Sequence, residues 1–209
     1  GATLIYQARG QEAIREGKKA VELDPLSAVA FSDLEFSSLA AHKWAESIRA
    51  FHRVMTIDPG MVPAYVTAGI AYAELGQRDS AAWALDQAYK LDPTLPGVRA
   101  YRVWRYALSG NVAEAKKAFE EFNRTVTGVS RLNDMAVAHL GLGNRAAALD
   151  ALEAAARERS FYVATNALGC DPTFALLWGE PRFLAIMKQV GQKMCADNPP
   201  PLIPARPGR

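Results

Sequence analysis

The sequence predicts an all-α chain, an α-solenoid of helix-turn-helix repeats closed by a C-terminal capping helix, on three observations. Leu23-Asp24-Pro25, Ile57-Asp58-Pro59 and Leu91-Asp92-Pro93 recur every 34 residues, a period that marks a repeat architecture. Registering the chain on those prolines brings Phe31 over Tyr65, Tyr72 over Tyr106, Ala13 over Ala81 and Ala115, Ala20 over Ala88, and Phe51 over Leu85 and Phe119. Small residues therefore recur where backbones must cross closely, and large ones where space must be filled. Finally, Ala81, Leu85 and Ala88 make an apolar stripe that one helix pair cannot bury, so several stacked repeats are required.

The elements follow from that register. A half repeat, helix B only, occupies residues 1–27; full repeats occupy 28–61, 62–95 and 96–128; a degenerate fifth, one residue short and without its proline, occupies 129–160. Proline lacks an N–H and disfavours α geometry in the residue before it, so each helix B stops at the Asp-Pro step, where Asp suits the turn. Gly76, Gly110 and Gly143 fall between helices A and B, where a left-handed C-cap is needed and glycine takes it at least cost. Two departures stand out: Glu35 occupies the place of Gly69, and Arg99 and Arg102 occupy places where bulky apolar residues are expected.

After Ser160 the pattern changes, and residues 161–194 are read as a cap. Pro181 suits the first turn of a helix predicted to run to about Met194, with Phe183, Leu184, Ile186, Met187 and Val190 covering the open end of the stack. Residues 195–209 read as a Pro-rich disordered tail, five of the twelve prolines lying in the last eleven residues. Gly1-Ala2-Thr3, without Met or a signal pattern, reads as a cut inside a longer protein.

Tyr65 to Pro93, with Gly69, Tyr72, Ala81 and Ala88, and Tyr106 to Phe119, with Gly110 and Ala115, resemble the tetratricopeptide-repeat consensus. The Glu158-Arg159-Ser160 ending of the fifth repeat, with the cap, resembles the C-terminal stretch of tetratricopeptide domains in bacterial multidomain regulators. In those, the resemblance implies, the array follows a winged-helix or nucleotide-cyclase domain.

Composition excludes several function classes. Charged residues make up 22% of the chain with a net charge of +2, so no global field draws it to nucleic acid or anionic lipid; a protein or peptide is the expected partner. The longest stretch without a charged residue, Pro59 to Ala73, is shorter than the ~18 residues of a spanning helix, so no membrane insertion is expected. Cys170 and Cys195 lie outside any C-x-x-C spacing and read as structural thiols, and the expected compartment is the cytoplasm, with the periplasm as the alternative. No cofactor, metal or catalytic residue is expected. His42, His52 and His139 are scattered, and Gly141-Leu142-Gly143-Asn144-Arg145-Ala146 spells a dinucleotide fingerprint but follows a helical run instead of a strand.

The candidate site is a groove. The resemblance implies a right-handed stack, a right-handed α-solenoid whose helices A line the concave face, and there Phe36, Ile70 and Trp104 recur 34 residues apart and Val137 continues them one residue early. Tyr101, Arg102 and Arg105, in a run where arginines at spacing three interleave with aromatics, have the composition of a binding hot spot. The competing readings are that the ladder is inter-helix packing or is covered by the C-terminal segment, and that the arginines are a solvated edge. The family's groove for a peptide's terminal carboxylate uses Asn on the ladder rung, and none of the four residues here is Asn. The function expected is a protein-interaction or scaffold module holding a peptide or partner domain in the groove, as the regulatory part of a larger bacterial signalling or transcription protein. The alternatives are an oligomerisation module, a homodimer stacked through the half repeat, and a small-molecule sensor.

Overall fold

The computed structural model describes residues 9–128, 131–158 and 168–195. The first eight residues, the Phe161-Tyr162 connection and the proline-rich stretch from 196 onwards lie outside the described residues. The chain forms α1 (Gly10–Leu23), α2 (Ala28–Ala40), α3 (Trp44–Ile57), α4 (Val62–Glu74), α5 (Arg78–Leu91), α6 (Pro96–Leu108), α7 (Val112–Thr125), α8 (Arg131–Gly141), α9 (Arg145–Arg157), a 3-10 helix (Pro172–Leu177) and α10 (Pro181–Gln189), with no strand among the described residues. This is the all-helical solenoid the period predicts.

Both kinds of turn repeat in atomic detail. Helix B of the first three pairs ends on Asp24, Asp58 or Asp92, whose carboxylate accepts the N–H two residues on: Leu26 at 3.2 Å, Gly60 at 2.9 Å and Thr94 at 2.8 Å. The aspartate thus holds the turn that the proline forces. Between helices A and B, Gly76, Gly110 and Gly143 take positive φ. The N–H that follows closes back five residues at each turn, as in Gln77 to the Tyr72 carbonyl and Asn144 to the His139 carbonyl, both 2.9 Å. The second repeat puts His42 at that place, at φ 58°. Its ring Nε2 lies 3.2 Å from the Cys170 carbonyl oxygen, a contact glycine could not make.

Packing explains the small residues. A Cβ on Gly69 would lie 2.7 Å from Leu85, so α4 and α5 cross with no room for a side chain there. Phe51, Val54, Tyr65 and Leu85 fill the core of the middle repeats, Phe51 and Tyr65 meeting edge-to-face at 5.4 Å. In the second repeat Glu35 takes the glycine's place and is fully buried, and neither carboxylate oxygen has a hydrogen-bond partner. Burial pushes it well above the usual carboxylate range.

The A helices are not evenly stacked. α2 packs on α4 and α6 on α8, whereas α4 and α6 make no comparable contact. The 3-10 helix packs against α4, α8 and α9, beside this opening.

The cap differs from expectation in two respects. α10 stops at Gln189, with Gly191 in the left-handed region two residues on, and Leu184 is 44% exposed while Phe183, Ile186 and Met187 are buried. The second difference is that Cys170 and Cys195 are paired as a disulfide, where free thiols were expected. After Gly191 the chain turns back, the Cys195 N–H donating to the Gly169 carbonyl at 3.0 Å, and the two Cα atoms stand 5.2 Å apart. That is within the span a disulfide bridges. The bridged pair packs with Ala13 of α1 and Phe36 and Ala40 of α2.

Candidate concave pocket

Where α4 and α6 part, the A helices and the C-terminal segment enclose a pocket of about 160 Å³. Its walls come from five elements: Phe36 and Leu39 of α2, Val66, Thr67 and Ile70 of α4, Tyr101 of α6, Asn133, Asp134 and Val137 of α8, and Asp171 and Phe174 of the C-terminal segment. Of the seven residues expected in the groove, Phe36, Ile70, Tyr101 and Val137 meet here.

The other three do not line it. Trp104 is 6% exposed and lies beneath α8, where a Cβ on Gly141 would come within 2.8 Å of its Cα. Arg102 and Arg105 point to the B helices, each with an anionic partner. Arg102 donates to Glu121 at 2.8 Å and to the Tyr89 hydroxyl at 3.0 Å, its guanidinium 4.2 Å from the centre of the Tyr89 ring. Arg105 donates to Asp86 at 2.7 Å and lies 4.7 Å from the Tyr106 ring. These arginines tie α6 to α5 and α7. Tyr101 and Arg102 are adjacent, yet a step along a helix turns a side chain about 100°, enough to send one into the pocket and the other toward α5 and α7.

The C-terminal segment covers part of the ladder. Its Asp171 caps the 3-10 helix, accepting from the Thr173 N–H at 2.9 Å, and the Tyr101 hydroxyl lies 3.1 Å from Thr173 Oγ1. The ladder is thus partly packing, partly roofed and partly open to the pocket.

Electrostatically the pocket is acceptor-rich. Burial pushes Asp134 up to about 7, against a hydrogen bond from Asn133 that works the other way. Asp171 is raised by burial, with the Thr173 hydrogen bonds and His42 opposing, and burial and then Asp171 bring neighbouring Glu74 to about 7. Tyr101 is pushed well above its usual range, first by burial and then by Asp171. Asn133, 5% exposed, leaves Oδ1 without a hydrogen-bond partner. Among the described residues no Lys or Arg lines the pocket, and no group of three His, Cys, Asp or Glu side chains is placed to hold a metal ion.

Sequence reasoning missed Asn133, Asp134 and Asp171. Asp134 could have been found, since it continues the rung of Thr67 and Tyr101 in the same one-residue-early register as Val137. Asp171 lies beyond the repeats, where the period carries no signal.

Residues 62–95 match the family model described as tetratricopeptide repeat. The Hsp70-Hsp90 organizing protein of Triticum aestivum is 26% identical over 56% of this chain and 19% of its own length. The tetratricopeptide repeat-containing protein trd-1 of Caenorhabditis elegans is 24% identical over 59% of this chain and 16% of its own. The chain thus spans less than a fifth of the length of either relative. Among solved structures, the APC/C hetero-tetramer Cut9-Hcn1 superposes with a TM-score of 0.61 at 17% identity, covering 90% of this chain and 38% of that one. A thermophilic TPR protein of Thermus thermophilus gives 0.59 at 16% identity, covering 88% and 89%. MamA gives 0.52 at 20% identity, covering 72% and 89%. Period, turn geometry and these likenesses agree: the chain is a helical solenoid that carries a tetratricopeptide repeat at residues 62–95.

Proposed function

We propose that this chain is a protein-interaction module that holds a partner polypeptide against its concave face, as the regulatory part of a larger bacterial signalling or transcription protein. The observation that carries the reading is the convergence of Phe36, Ile70, Tyr101 and Val137 on one pocket that the C-terminal segment leaves open. Apolar and aromatic side chains recessed beside a few polar groups make the sort of anchor site in which interfaces concentrate their binding energy. One relative, whose name speaks of organizing other proteins, supports a scaffold role, and the greater length of both relatives supports a modular one. The disulfide supports the periplasm or another oxidising compartment over the cytoplasm.

The test is Thr67→Trp. Thr67 sits on the pocket wall, partly exposed, and its hydroxyl bonds only its own helix at Pro63, so a large side chain there obstructs the pocket from outside the core. With helicity unchanged, the variant loses the partner that the parent captures. Equal capture by both proteins refutes the groove reading.

A second reading has its own observation. Leu23, Leu26 and Val29 are 87%, 76% and 64% exposed around the turn joining α1 to α2, an apolar strip that supports stacking of two copies. Sedimentation of the parent and of Leu26→Glu decides it: a dimer abolished by the charge supports this module, and a monomer at every concentration refutes it.

A further inference from the structure

We infer that the concave pocket receives the ammonium or guanidinium end of a lysine or arginine side chain from the partner polypeptide. This rests on the groove reading above and gives it a chemistry. Three observations carry it. Asp134 and Asp171 border the same pocket from α8 and from the C-terminal segment, and no Lys or Arg among the described residues lines it to balance them. Asn133, on the wall beside Asp134, is 5% exposed, and its Oδ1 accepts from no donor. A buried acceptor without a donor is uncommon and costly, and an incoming N–H supplies what it lacks. Other parts of the wall, Phe36, Ile70 and Phe174, are apolar and suit the methylene stem that a long basic side chain lays against hydrophobic surface while its charged head finds carboxylates.

Size and donor set narrow the class. About 160 Å³ takes one side chain and not a folded element. A hard divalent cation wants six or more oxygens in one place, and the described residues hold no such group. His42, the basic group that bears on Asp171, faces the Cys170 carbonyl and is not among the lining residues. The resulting polarity is opposite to that of a groove built to clamp a carboxylate.

The experiment follows backbone amide signals of the full chain during titration with three probes: a blocked pentapeptide with Lys between alanines, the same peptide with norleucine in place of Lys, and n-butylamine. The lysine peptide shifts the signals of Asn133, Asp134 and Asp171. Norleucine, with the same stem and no charge, binds about tenfold or more weaker, the loss expected for one charge-assisted hydrogen bond. Asp134→Asn weakens the lysine peptide by a similar factor. Because that substitution removes a charge from a site that raises the carboxyl's proton affinity, the variant folds, and Asp171→Asn, which keeps a capping side chain, gives the same result independently. Equal binding of norleucine and lysine, or unchanged affinity in both variants, overturns the inference and leaves the groove reading to Thr67→Trp. Butylamine as tight as the peptide overturns the polypeptide source, and no shift at the pocket with any probe overturns the pocket as a cation site.

Discussion

Replacing Glu35 with glutamine removes one ionisable group from the core while keeping its shape, and the consequence is a change of slope. Glu35 is 0% exposed with both oxygens unpartnered, and its folded value stands well above that of the unfolded chain because burial penalises the charge. Between the unfolded value, about 4.3 for glutamate, and the raised folded one, the native state holds one proton more than the unfolded state. Unfolding free energy therefore falls as pH rises, by about 1.4 kcal/mol per pH unit for that proton. The contribution is whole below the unfolded value and is lost as pH climbs to the folded one. Urea unfolding followed by circular dichroism, in roughly half-unit steps from about pH 4.5 upward, reads the slope for parent and Glu35→Gln. The variant shows a plot shallower by about one proton over that window, whatever its offset at the acid end. Parallel lines for the two proteins refute the claim that Glu35 is buried without a partner.

Further perturbations test other parts of the fold. Asp134→Asn removes a second proton uptake of the same sign, so it flattens the loss of stability as pH rises through about 7, read by the same titration. Reducing the Cys170–Cys195 bridge, which spans 25 residues, lowers stability by about 3–4 kcal/mol on loop entropy. The change also appears in the fluorescence of Trp178, which lies within the bridged segment and whose indole donates to the Leu168 carbonyl just before it; an unchanged melting curve under dithiothreitol contradicts it. Gly76→Ala meets nothing within 4 Å but must hold φ +72°, so it costs about 1–2 kcal/mol of backbone strain by thermal unfolding. Gly69→Ala, at normal φ, instead collides with Leu85 at 2.7 Å. It costs about 1–3 kcal/mol, and Leu85→Val relieves part of that loss in the double variant.

What could be read from the sequence was what repeats locally. A turn that needs one left-handed residue and an aspartate two positions before an N–H encodes itself in a few letters, and the 34-residue spacing multiplied that signal. The groove was legible only in part, because a ladder at fixed spacing stays a ladder only if every A helix stacks alike. Here α4 and α6 part, so Tyr101 turns into the opening while Trp104 goes under α8. The arginine run resembled a binding surface in composition, yet Glu121 and Asp86 answer Arg102 and Arg105 from 19 residues on either side. The disulfide was illegible for a related reason: what brings Cys170 and Cys195 together is a chain reversal after Gly191 and packing against α1 and α2, contacts more than a hundred residues apart that no local pattern records. Glu35 was visible as a departure from the repeat, though its burial depends on α2 crossing α3 as closely as α4 crosses α5.

A solenoid whose repeats touch only their neighbours behaves like an open zipper, with each end free to fray. The bridged segment breaks that rule. It reaches from the last helices to the first, seating Cys170 and Cys195 against Ala13 and Ala40 and meeting His42 at the first A–B turn. The zipper's two ends are thus fastened to one clasp. Amide hydrogens in α1 and α2, which in an open array would exchange fastest, should exchange at rates close to those of α4 and α5 while the disulfide is intact. They should separate from them once it is reduced, so that a change of two sulfur atoms at one end of the chain sets whether the protein opens from its far end or as a whole.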